Sequence, residues 1–385
     1  MINFNFFWGV VLVTTPLIFR VTRGGLREGK DSFFWLAVMA SLYFFSKSVR
    51  KFPLPEKIGL SILLVVSWFN VDNYASIGNF YHIVYITAGV LFLKNFYENF
   101  SLYQLDVIYK FIVITALVNI TWAVVNKLGF SPYSFYAEYI AGIKQYKVAA
   151  PGKAIGPLNN SMLSGAMLAI CGPVFFIKKY LKLLPLVIMG LYFYDSAIAN
   201  ISFIGSVLYF FFVCVLQNSQ FKKQNLLVHY KTLPLILVLV VLIGTFLIIG
   251  PNGVSGFDSQ RFLSWSLILS ITDFKTFLVG NGTGWFYDHF PRMYVINGVK
   301  WYQEHSEYLA SYMAFGVFGF IGFYALFSRA LLRSKNVIAS SALFGVFINC
   351  FGNFTLHISS LFLISGIFYC LCLSGVSNES KEYLS

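Results

Sequence analysis

Charge is what this chain has least of. Only 11% of its 385 residues are Asp, Glu, Lys or Arg, where a soluble domain carries about 25%. Less than half the usual polar surface excludes a water-soluble enzyme, and a disordered regulator would need more charge still. Cysteine is scarce as well. Cys171, Cys214, Cys350, Cys370 and Cys372 all fall inside apolar runs, so a disulfide-stapled secreted scaffold is excluded and each reads as a small core residue. Acidic residues number 15, with no Asp-x-Asp pair and no His/Cys cluster, so no metal and no other cofactor is expected. The amino terminus has neither the charged region nor the small-residue cleavage site of a secretory signal, and its apolar run is expected to be retained.

Apolar residues are what is abundant. They make up 58% of the chain, and Phe alone occurs 43 times, which points to an all-α, polytopic integral membrane protein with residues 1–385 in one helical bundle. A membrane helix needs roughly 20 apolar residues. Runs near that length lie at 3–19, 32–46, 58–71, 79–93, 107–125, 161–177, 183–195, 197–216, 232–250, 306–327, 337–354 and 356–373, about twelve transmembrane helices. The second, third and fourth are short. Continuous runs of this kind are helices, because barrel strands alternate over about ten residues.

The net charge of +13 suggests a polyanionic partner, but position decides the matter. Lys178, Lys179 and Lys182 form one cluster, Lys222, Lys223 and Lys231 a second, and Arg329, Arg333 and Lys335 a third, each in a short loop between spans. That is the bias of cytoplasmic loops, and no basic stripe with interleaved aromatics lies outside the spans, so nucleic acid is not an expected partner. With those clusters inside, Lys47, Arg50, Lys51 and Lys57 fall inside too, and the segments 126–160 and 251–305 fall outside. Arg20, Arg23, Arg27 and Lys30 break the pattern by facing outward. Either the first two runs do not both span, or those cations have work outside.

The two outer segments are long. Loops beyond about 15 residues are usually functional or disordered, and the Tyr, Phe, Trp and Gly content here suits ordered surfaces that meet headgroups and sugars. In the second segment, Ser259 to Leu269 suits a helix along the membrane surface that begins near Arg261. A guanidinium there matches a phosphate or pyrophosphate through its planar fork, or else a lipid headgroup. Gly280-Asn281-Gly282-Thr283-Gly284 follows; such a run forbids a stable helix and lets backbone approach a ligand, or forms a plain turn. Tyr302-Gln303-Glu304-His305-Ser306-Glu307 then opens the tenth span, where Gly316, Gly319 and Gly322 recur at three-residue spacing. That stripe suits close helix contact in lipid. His305 lies eleven residues before Gly316, about 16 Å of helix, and a histidine at the outer interface can take a proton from a hydroxyl near neutral pH or bond a headgroup. The first outer segment sets Lys144, Lys147 and Lys153 against one acid, Glu138, and ends in Gly156-Pro157-Leu158-Asn159-Asn160. It reads either as an anion site or as a solvated loop.

Taken together, these residues resemble the bacterial O-antigen ligase/polymerase family. His305-Ser306, nine residues, Gly316, two residues and Gly319 match that family's histidine motif, with Arg261 and Trp265 and then Gly280-Asn281-Gly282 upstream in the family's order. Gly156 to Asn160 is similar to the approach to an earlier span, and the likeness covers roughly 155–355. It departs at 195–202, where many members carry an arginine and this chain reads Asp195-Ser196-Ala197-Ile198-Ala199-Asn200-Ile201-Ser202. A second pyrophosphate-binding cation would then have to be Lys153 or the Arg20–Lys30 cluster.

The resemblance implies a metal-independent glycosyltransferase in the bacterial inner membrane with its active site facing the periplasm. Its partners would be undecaprenyl-pyrophosphate-linked oligosaccharide donor and acceptor and membrane lipid, with a chain-length regulator as a further candidate. An O-antigen polymerase is the favoured form, on composition and the missing arginine; an O-antigen ligase acting on lipid A-core is the alternative. His305 is expected as the acceptor-side base and Arg261 as the pyrophosphate ligand, while Lys153, Asn160, Gly280, Gly282, Tyr302 and Glu307 are expected to bind substrate. A lipid-linked glycan flippase is the rival from another class. Transporters place ionisable groups or broken helices near the midplane, and His82, Asp195 and His357 stand as isolated residues near span ends.

Overall fold

The computed structural model describes residues 3–22, 25–28, 30–45, 48–69, 77–101, 105–132, 153–218, 265, 267–282, 285, 289, 295–296, 299–300, 306–353 and 355–375. In chain order the helices are α1 (Phe4–Thr14), α2 (Lys30–Phe44), α3 (Leu54–Phe69), α4 (Ile77–Asn99), α5 (Leu105–Lys127), α6 (Ser161–Cys171), α7 (Leu184–Tyr194), α8 (Ala197–Asn218), the short α9 (Phe274–Val279), α10 (Glu307–Arg333), α11 (Val337–Gly352) and α12 (Ser359–Leu373). Each apart from α9 overlies an expected apolar run, and the run at 232–250 lies outside the described residues. Among the described residues, three segments are long and apolar enough to cross a membrane: Leu105–Lys127, Ala197–Cys214 and Glu307–Arg333. The outward face of α8 stays apolar. Ile201, Ile204, Leu208 and Phe211 on α8 are all exposed.

Twelve full spans do not follow from the helix lengths. The 11 residues of α1 rise only about 16 Å, roughly half of a bilayer's hydrocarbon core. Pro16 closes α1 in a 3₁₀ turn over Thr15–Leu17. A two-stranded antiparallel ribbon follows, Phe19–Thr22 with Gly25–Glu28, in which Arg20 pairs with Arg27. The cationic stretch between the first two runs is therefore partly strand, a structure that hydropathy cannot signal.

Side-chain caps fix several helix starts. Asn3 Oδ1 accepts from the Asn5 amide (3.0 Å) and Asn336 Oδ1 from the Ala339 amide (2.9 Å), satisfying donors that the first turn leaves open. Small residues let α8 and α11 approach: Ser202 Oγ donates to the Gly345 carbonyl at 2.7 Å. A Cβ on Gly345 would lie 2.2 Å from Ser206 Oγ. In lipid, such contacts replace the hydrophobic drive that water would supply.

The described parts of the Lys178 and Arg329 clusters, with Arg50, share one end of the bundle. There Lys179 pairs with Asp106 at the start of α5, and Arg329 Nε meets the fully buried Glu56 at 2.5 Å. Nearby, Asn336 Nδ2 donates to Tyr109 Oη at 2.7 Å and Arg50 Nη2 to the Phe100 carbonyl at 3.3 Å. The cluster around Lys222 lies outside the described residues. The opposite end gathers the starts of α4, α6, α8, α10 and α12 with the ends of α5, α7 and α11, and most described candidate residues fall there.

Candidate functional site

The site is organised by a break in α10. Gly316 leaves the helical region at φ 67° and ψ −160°, so the carbonyls of the preceding turn lose their intrahelical donors. The loop after α9 supplies replacements: the Asn281 amide donates to the Met313 carbonyl at 2.7 Å and the Gly282 amide to the Ala314 carbonyl at 3.1 Å. Backbone lies directly on backbone. A Cβ on Gly316 would sit 2.3 Å from the Leu278 carbonyl, and one on Gly280, at φ 75°, 2.4 Å from the Ala314 carbonyl carbon. Thr276 Oγ1 donates to Asn281 Oδ1 at 2.8 Å, and Asp273 caps α9 by accepting from the Thr276 amide at 2.7 Å. That amide bond holds the Asp273 carboxyl below the usual carboxylate range.

Gly280 and Gly282 bring backbone up to α10, as the plain turn that the sequence set beside approach to a ligand would do. The small-residue stripe is not a continuous helix-packing groove. Gly316 breaks the helix, the Cβ position of Gly319 is crowded by Phe315 of its own helix, and that of Gly322 faces open space. A three-residue repeat describes one face only while the helix is unbroken, and this one is broken at its first glycine.

The segment before α9 is seated on the same half-helix. Trp265 is almost fully buried with Ile268 and Met313, against Leu309 and Tyr312, and its ring meets Phe351 edge-on at 5.3 Å. Arg261, His305 and Tyr302 lie outside the described residues, as do Lys144, Lys147 and Glu138.

Glu307 opens α10 and is 3% exposed. Its carboxylate is taken up inside the protein. Oε1 accepts from the amides of Leu356 and His357, the latter at 3.1 Å, and Oε2 lies 3.0 Å from His357 Nδ1. The His357 ring is edge-on to that of His82 on α4, with centroids 5.8 Å apart. Tyr85, one turn along α4, donates to the Leu356 carbonyl at 3.1 Å. So His82 and His357 are not isolated residues; the fold joins them to Glu307. No sequence signal could have paired positions on α4 and before α12. An expected substrate ligand, Glu307 anchors the turn that carries His357, and a buried carboxylate needs such partners to offset its desolvation.

At the same end, Lys153 and Asn160 belong to a second group. Lys153 Nζ lies 2.9 Å from Asp195 Oδ2 and 3.1 Å from the Asp195 carbonyl. The Lys153 ammonium holds the Asp195 carboxyl below its usual range, through the hydrogen bond first and its charge second. The expected outward-facing cation thus has an acidic partner in the chain, at the very stretch where the family arginine is missing. Asn160 caps α6, its Oδ1 accepting from the amides of Met162 (2.8 Å) and Leu163 (3.2 Å). The preceding turn, with Gly156 at φ 66°, hangs on Asn126, whose Oδ1 accepts from the amides of Ile155 and Gly156. Ile198, just inside α8, packs at the site where a Cβ on Gly352 would stand, which links this group to the end of α11.

Among the described residues, no group of three or more His, Cys, Asp or Glu side chains is placed to hold a metal ion. The arrangement offers instead a partly open imidazole, 35% exposed, backed by a buried carboxylate. The carboxylate lies at ion-pair distance from Nδ1 and can hold the ring in its charged form. No family model matches the chain, and no curated protein matches it.

Proposed function

We propose that the chain is a membrane glycosyltransferase that joins polyprenyl-pyrophosphate-linked oligosaccharide repeats, in its narrower form an O-antigen polymerase of the inner membrane acting on its periplasmic side. One observation carries this reading. The separate sequence elements behind the resemblance converge: Trp265 packs on Met313, and the Gly280–Gly282 loop lies on the break at Gly316. Their spacing makes sense if each supports the others around the start of α10.

The chemistry asks little of the protein. His305 takes the proton of the acceptor hydroxyl, whose oxygen bonds to the anomeric carbon of the donor sugar. The bond from that carbon to the pyrophosphate oxygen breaks, and the electron pair leaves on the pyrophosphate, whose charge Arg261 holds. Loss of the gene in its host tests this on a lipopolysaccharide gel. A polymerase leaves single repeats on the lipid A-core and a ligase leaves none; an unchanged ladder refutes both.

A lipid-linked glycan transporter is the second reading. The broken α10 and the buried Glu307, His357 and His82 group favour it, because transporters build substrate and ion sites from such parts. Elongation of glycan by purified protein in detergent, with no second compartment, excludes it.

A further inference from the structure

We propose that His357 is a proton-transferring residue of this glycosyl transfer, that Glu307 is its positioning residue, and that His82 backs the pair. The inference rests on the function proposed above, adds His357 and His82, to which the resemblance does not point, and gives Glu307 a positioning role in place of substrate binding. Each transfer releases a proton from the acceptor hydroxyl, and that proton must leave the site before the next turnover.

The geometry suits His357 to receive it. Glu307 uses Oε1 on two backbone amides of the turn at Thr355–His357, which fixes the turn, and presents Oε2 to Nδ1 at 3.0 Å. The proton passes from the acceptor-side base to the His357 ring, the imidazolium is held by the Glu307 carboxylate 3.0 Å from Nδ1, and the proton then leaves through the exposed part of the ring; no oxidant, metal or further reactant is needed. The His82 ring stands beside it, at 81° to that of His357.

A second observation is independent of that pair. Around the same turn, Asn349 Nδ2, Asn353 Oδ1, Ser359 Oγ and Ser360 Oγ are buried and have no hydrogen-bond partner among the described residues. Buried polar atoms are nearly always satisfied by protein or by ordered water. Four such atoms on residues flanking the turn that carries His357 are groups that ordered water would satisfy, and such water could carry a proton away. Asn349 Oδ1 is already held by Asn353 Nδ2 and Thr355 Oγ1, both at 3.0 Å, which orients its remaining amide donors. Among the described residues, the titratable groups facing the pair are His82 and Tyr85 on α4, Tyr308 on α10 and Cys350 on α11. None of these is a lysine, arginine or second carboxylate, so Glu307 is the one acid among them.

The test is the pH–rate profile of glycan elongation by purified full-length protein in detergent, with a polyprenyl-pyrophosphate oligosaccharide as donor. His357→Gln should lower kcat about 100-fold and abolish the pH limb that reports His357 while the limb of the acceptor-side base His305 remains, with KM unchanged. Glu307→Gln keeps a carbonyl oxygen for the two amides but loses the charge. It should move the His357 limb to lower pH by about one unit while the thermal midpoint stays within a few degrees of wild type, a separation that a merely structural role would not produce. His82→Gln should shift the limb less. If His357→Gln and Glu307→Gln give profiles that superimpose on the wild type, the inference fails and the function stands. If the wild type elongates nothing at any pH, the proposed function fails and takes the inference with it.

Discussion

Replacing Gly316 by alanine perturbs the contact on which the candidate site is built, and the structure sets the size of the effect. At φ 67° and ψ −160° the backbone occupies a region that is essentially glycine's alone, and forcing another residue there costs of order 1–3 kcal/mol. The new Cβ would lie 2.3 Å from the Leu278 carbonyl, where non-bonded contacts relax at about 3.5–4 Å. The loop after α9 must therefore retreat by about 1 Å or more. That movement loses the bonds from the Asn281 and Gly282 amides to the Met313 and Ala314 carbonyls, each contributing about 1 kcal/mol. The total is about 3–5 kcal/mol. Gly322→Ala is the control on the same helix, since its Cβ meets nothing within 4 Å and alanine is the better helix former by up to about 1 kcal/mol. Equilibrium unfolding in mixed detergent should separate the two variants by about 4 kcal/mol, near a thousandfold in the equilibrium constant. The double variant Gly280→Ala with Gly316→Ala should be less destabilised than the sum of the singles, because both disturb one interface. Equal stability of Gly316→Ala and Gly322→Ala would refute the reasoning.

Two other predictions separate structural from substrate-binding roles. Asn160→Ala should destabilise by about 1 kcal/mol through loss of the α6 cap, whereas Asn160→Asp, an equally good cap, should keep both stability and activity; loss of activity in the aspartate variant at normal stability would return Asn160 to substrate binding. The Asp195–Lys153 pair should show in the acid limb of stability. Because the folded-state pKa of Asp195 lies below its ordinary value of 3.8, its contribution is complete above that pH and is lost as pH falls through the lower folded value. The pair is exposed, so the effect is small and weakened by salt. An Asp195→Asn variant whose stability profile between pH 2 and 5, about the range in which aspartate titrates, matched the wild type would remove the pair from the account.

Hydropathy was enough to place the helices, because an apolar run of the right length has few other uses. It could not say which helix face is buried. Phe203 is nearly buried and its neighbour Ile204 more than half exposed, yet both are apolar, since lipid accepts what water would not. Nor could it read the break in α10. A glycine in sequence says that backbone must turn or come close, without saying to what, so Gly280 and Gly316 gave no sign that they face each other. The pairing of His82 with His357 and Glu307 was invisible for a different reason: each stood out singly, but the three come from α4, α10 and the turn before α12, and nothing local links them. Lys153 was legible as a cation near the start of α6, while its capture by Asp195 depended on the left-handed turn that ends α7, where Asp195 adopts φ 45°.

The central claim is that the chain transfers glycan from a pyrophosphate carrier, using His305 and Arg261. The measurement that meets it most directly is elongation of a polyprenyl-pyrophosphate oligosaccharide by purified protein in detergent, followed by product length for wild type, His305→Ala and Arg261→Ala at matched amounts of folded protein. The account predicts longer glycan and free polyprenyl pyrophosphate from the wild type, and at least a 100-fold lower rate from each variant, the lower end of what a positioned acid or base contributes. Wild-type rates in both variants, or no elongation by a folded wild type supplied with donor and acceptor, would contradict it.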